Sequence, residues 1–63
     1  MTKADFHELN VGDMITHDND SHTYIVTGNY GGRVTAIQTV DTTNPTEWAL
    51  RYKATYTMEV RNE

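Results

Sequence analysis

An all-β fold is what this sequence predicts: a small barrel or strongly twisted antiparallel sheet of about five short strands, with one short helical turn ahead of the last strand. Three features predict it. From Trp48 to Val60 the apolar side chains fall on the even positions, Trp48, Leu50, Tyr52, Ala54, Tyr56, Met58 and Val60, and mostly polar ones on the odd positions. That period of two gives a strand one buried and one wet face. Two β-branched segments, Thr23–Thr27 and Arg33–Val40, flank the stretch Gly28-Asn29-Tyr30-Gly31-Gly32, the pattern of a hairpin whose tight reversal needs positive φ. A shorter β segment, Val11–His17, is entered through the Gly12-Asp13 pair, a turn signal.

In chain order, Phe6-His7-Glu8-Leu9 suits a single turn that lays Phe6 and Leu9 over an open end of the barrel. The strand over Val11–His17 leads into Asp18-Asn19-Asp20-Ser21, a polar reversal in which Asp and Asn satisfy turn amides. The hairpin follows, completing a three-stranded meander. Thr42–Trp48 then carries a helix-start signature, with Asn44 as cap, Pro45 at the first helical position and Glu47 at the third. Only one turn fits there before the period-two pattern resumes. The final run exceeds the usual five or so residues of a strand, so it either bends as one strand or breaks near Arg51–Ala54 into two. Trp48, Tyr52 and Tyr56 share its apolar face and are read as core, because a chain with one phenylalanine must fill its interior with other large side chains.

A chain of 63 residues holds one domain, residues 1–63, and is short enough that burial against a second copy would help to stabilise it. It has no cysteine, which removes disulfides, thiolate metal sites and a nucleophilic thiol. No apolar run resembles a signal peptide or a membrane span, so the expected setting is a reducing cytoplasm with no membrane partner. Net charge is −4, and residues 1 to 32 set five acids against Lys3 alone. Phosphate backbones attract clustered Lys and Arg, so duplex DNA is a poor partner for such a chain.

Two clusters carry candidate chemistry. His17-Asp18-Asn19-Asp20-Ser21-His22 gathers two imidazoles and two carboxylates, with His7 as a distant third imidazole. It lacks the glycine and terminal glutamate of a calcium loop and the paired spacing of a zinc site, so His17, Asp18, Asp20 and His22 are read as a solvated loop first and as metal ligands second. No nucleophile, base and orienting acid assemble, and Gly28–Gly32 lacks the features of a phosphate loop; no catalytic residue and no cofactor is assigned, and the chain is read as non-enzymatic. Tyr30 and Arg33 at the hairpin tip, with Arg51 and Lys53 on the last run, form the candidate protein-binding set, aided by an exposed strand edge. Adding Arg61 gives the alternative, a nucleic-acid surface in which Tyr30 stacks on a base and the cations meet phosphates.

The element order, with its Val11-Gly12-Asp13 entry and single turn before the closing strand, resembles the small SH3-like barrels, including those of KOW and transcription-factor domains. The segments Thr23–Ala36 and Val40–Trp48, with their Tyr30-Gly31 and Asn44-Pro45 pairs, resemble small uncharacterised proteins encoded by bacteriophages and prophages of enteric bacteria. That second resemblance implies an accessory protein working in the host cytoplasm on a host or phage protein.

Overall fold

The computed structural model describes residues 1–18, 22–40 and 43–62. It contains one short helix, α1 (Lys3–His7), and five strands, β1 (Met14–His17), β2 (Thr23–Asn29), β3 (Val34–Gln38), β4 (Trp48–Leu50) and β5 (Tyr56–Val60). All neighbours pair antiparallel in one sheet of order β4-β3-β2-β1-β5. The final run therefore breaks in two, and its halves lie on opposite edges of the sheet. Residues 51–55 carry the chain across.

The helix starts where Thr2 and Asp5 form a capping box, each side chain accepting the other's amide. The Thr2 backbone amide, then its hydroxyl, hold the Asp5 carboxyl below its ordinary range. Helical structure thus forms at the N-terminus and not at Asn44–Glu47, where the chain bends at Asn44 and then runs without regular structure to β4. The Glu47 carboxylate explains the difference. It accepts from Thr27 Oγ1 at 3.1 Å across the sheet, where a capping box would send it back to Asn44. The hydrogen-bonded turn before the closing strand falls instead at Lys53–Tyr56, whose amide reaches the Lys53 carbonyl at 3.2 Å.

Alternation sets the inner face. Ile15 and His17 in β1, Val26 in β2, Val34 and Ala36 in β3 and Tyr56 in β5 are buried. Phe6 and Leu9 close the core from the other side, Phe6 stacked on Tyr56 at 5.9 Å and edge-on to Tyr52 at 5.8 Å. Tyr56 is thus core and Tyr52 half-buried against it, whereas Trp48 is 49% exposed. Its strand lies at an edge, opposite the small Ala36, and among the described residues no element lies beyond it to cover the indole.

Two polar ties lock the ends. The buried Asp13 carboxylate accepts from the amides of Asn10 at 2.9 Å and Asn62 at 2.6 Å, joining the entry to β1 with the chain after β5. The Asn29 amide nitrogen donates to the carbonyls of His7 and Leu9, and its oxygen accepts from Gly32, fixing α1 to the hairpin.

The hairpin turn spans Tyr30–Arg33, with Gly31 at φ 68° and Gly32 at φ 96°, the signs a type I′ turn requires. A Cβ on Gly32 would meet the His7 ring at 2.5 Å, whereas one on Gly31 would meet nothing within 4 Å. Gly32→Ala is therefore expected to lower stability by about 2 kcal/mol and Gly31→Ala by about 1 kcal/mol, as thermal melting would read. Equal losses would contradict the seating of His7 on the turn.

Candidate functional site

Cationic side chains from three parts of the chain meet beside β4. The register Val34↔Leu50 leaves Arg33 and Arg51 as the next facing positions, so two residues remote in sequence become neighbours. Across from them lie Lys3 and His7 of α1, held there because Asn29 ties the helix to the turn and the His7 ring sits on Gly32. Together they wall a groove of about 410 Å³ floored by Phe6, Leu50 and Tyr52. No carboxylate lines it among the described residues. In a chain of net charge −4 this is a local reversal of sign, the condition under which a concave surface concentrates an anion.

A second recess of about 300 Å³ adjoins it between the two sheet edges. Tyr24, Leu50, Tyr56 and His17 form its walls, and Arg51 and Lys53 its rim. Arg51 is common to both, so the two recesses together gather Lys3, Arg33, Arg51 and Lys53, four of the five lysines and arginines.

The remaining predicted residues lie elsewhere. Tyr30 is 71% exposed at the hairpin tip, but its ring lies over Gly28. Gly28 pairs with Thr35, an outward position between buried Val34 and Ala36, so Tyr30 belongs to the outer face of the sheet. Arg61 lines a separate hollow with Asp5, Thr57 and Met58 beyond β5. The structure thus sets Arg33 and Arg51 on the groove and Lys53 on the adjoining recess, and leaves Tyr30 and Arg61 apart. It adds Lys3, His7 and Tyr52, none of which the sequence places on a binding surface; the Thr2–Asp5 capping pair is the available signal that a helix holds Lys3 and His7 in place.

The histidine–aspartate cluster divides. His17 is buried on the inner face with its ring 5.3 Å from that of Tyr56. Asp18 is exposed and accepts from Thr57 Oγ1, and His22 Nδ1 lies 3.3 Å from Gln38 Nε2. Asp20 lies outside the described residues. Among the described residues no three His, Cys, Asp or Glu side chains group as metal ligands.

The sheet's two edges differ. At β5 the Met1 ammonium donates to the carbonyls of Ala54 and Tyr56, Tyr52 Oη donates to the Met1 carbonyl, and a bulge breaks the register with β1. Covering and bulging are how an edge is blunted. At β4, among the described residues, no backbone hydrogen bond outside the ladder with β3 reaches Trp48, Ala49 or Leu50. No helix among the described residues is long and apolar enough to cross a membrane. Comparison with known proteins gives no match to a family model, a curated sequence or a solved structure.

Proposed function

We propose that this protein is a non-catalytic binding module that holds an acidic segment of a partner protein in the groove between α1 and β4. The observation that carries this reading is the convergence of Lys3, Arg33 and Arg51 on one concave surface that no acid lines among the described residues, in a chain of net charge −4. The floor of Phe6, Leu50 and Tyr52 offers apolar contact to the stems of glutamate side chains, while the rim supplies charge. The resemblance to phage accessory proteins, which implies action on a host or phage protein, points the same way.

Titration of a fluorescent oligo-glutamate peptide tests it. Exposed ion pairs are worth about 0.2–1 kcal/mol each, so the double substitution Lys3→Ala and Arg33→Ala is expected to weaken binding about tenfold, with the fold unchanged by circular dichroism. Undiminished affinity in that variant would sink the proposal. The same cations favour a second reading, single-stranded nucleic acid, with Tyr52 as a stacking surface. An oligothymidylate that displaces the peptide and binds more tightly, with a steep salt dependence, would put nucleic acid in its place.

A further inference from the structure

We infer that β4 pairs with β4 of a second copy of this chain across a two-fold axis through Ala49, joining two five-stranded sheets into one. The inference rests on the edge itself and not on the groove's ligand, although Leu50 and Arg51 belong to both surfaces. Sheets blunt their free edges with charge, bulges, covering segments or very short strands; β5 has both a bulge and the Met1 cover, whereas β4, among the described residues, has only its shortness, three residues. At β4 the three residues Trp48–Leu50 run regularly against β3 with no register shift, and an indole stands 49% exposed on the edge strand.

The local sequence is complementary to itself when read antiparallel. With Ala49 facing its own copy, Trp48 faces Leu50 of the second copy and the flanking Glu47 faces Arg51 of the second copy, the Glu47 carboxylate turning to it from Thr27 Oγ1, its partner within one copy, and the two-fold repeats each pair. Parity agrees. Trp48 and Leu50 oppose Ala36 and Val34, which are buried on the inner face, while Ala49 opposes the outward Thr35. The apolar pairs thus extend the core side of the sheet, and the two Glu47–Arg51 pairs close the ladder at both ends on the opposite side. Opposite charges and an aromatic–aliphatic pair directly across strands are the contacts that stabilise such a ladder. The methyl group of Ala49 leaves room at the axis. Isologous closure of this kind buries both edges and ends growth at two copies. Arg33 and Lys3 keep the neighbouring groove cationic in the pair.

Sedimentation equilibrium over a range of concentrations tests this with a charge exchange. The wild-type chain is expected to show a reversible monomer–dimer equilibrium. Glu47→Arg alone and Arg51→Glu alone each place like charges opposite one another twice in the dimer, and each should weaken association about tenfold or more. The variant with both changes restores opposite charges and should recover the dimer. A wild-type chain that stays monomeric at every concentration, or single variants that associate as tightly as wild type, would overturn the inference. An isotope-filtered NOE experiment on a mixture of labelled and unlabelled wild-type chain reads the contact without any substitution: cross-peaks between the Trp48 indole and Leu50 methyls of different copies are expected, and a dimer lacking them would equally refute the pairing.

Discussion

Phe6→Ala is expected to unfold most of the population at ambient temperature. The Phe6 ring is 1% exposed and touches both Tyr52 and Tyr56, so its removal takes away the only phenylalanine and leaves a void between α1 and the sheet. Truncating a buried phenylalanine costs about 3–5 kcal/mol, and a core in a chain of this size seldom supplies more than about 3–5 kcal/mol in total. The loss is also cooperative in a structural sense. Without Phe6 the five-residue helix is far too short to persist on its own, and Lys3 and His7 lose their positions at the groove. Denaturation followed by tryptophan fluorescence and circular dichroism measures this; a folded variant that melts within a few degrees of wild type would show that α1 contributes little to the core.

Asp13→Ala is expected to follow closely, by a different mechanism. Its carboxylate is 2% exposed and is the acceptor for the amides of Asn10 and Asn62. Removing it leaves two part-buried amides without their acceptor, a penalty of about 1–3 kcal/mol. Asp13→Asn keeps one acceptor oxygen and should lose less. Amide exchange would locate the damage: Asn62 and the end of β5 should open first, because Asp13 is what fastens them. Uniform loss of protection across the sheet would contradict that local role.

The parts of this architecture that were legible in the sequence are those set by local pattern. β-branched composition places a strand over 23–27, period two places strand structure within 48–60, and the glycines of the intervening stretch place the reversal, because each signal depends on neighbouring residues alone. The break in the last run was left open, since the pattern of Trp48, Leu50, Tyr52, Tyr56 and Met58 keeps its parity through Tyr52–Ala54. Only the sheet order shows that the chain is crossing from one edge to the other there. Trp48 was misjudged as core for the same reason: parity places it on the inner face, but burial depends on what lies beyond an edge strand. The helix-start signature at Asn44–Glu47 lost to a longer-range bond from Thr27, and the one helix that forms is announced by Thr2 and Asp5.

The groove was half legible. Arg33, Arg51 and Lys53 were visible as exposed cations near a hairpin and a strand. The meeting of Arg33 and Arg51 with Lys3 and His7 depends on the β3–β4 register and on Asn29 reaching across to α1, neither of which a linear reading contains. Tyr30 had the right residue type at the right turn, yet the turn's geometry lays its ring on the other face.

The most direct test of the groove as the binding surface is a map of backbone amide shifts as an unlabelled oligo-glutamate peptide is titrated into the ¹⁵N-labelled protein. Binding in the groove predicts the largest shifts at Lys3, His7, Arg33 and Ala49–Tyr52, with Tyr30 and Arg61 little changed. Shifts centred on Tyr30, Gly28 and Thr35, or an unchanged spectrum at saturating peptide, would contradict it.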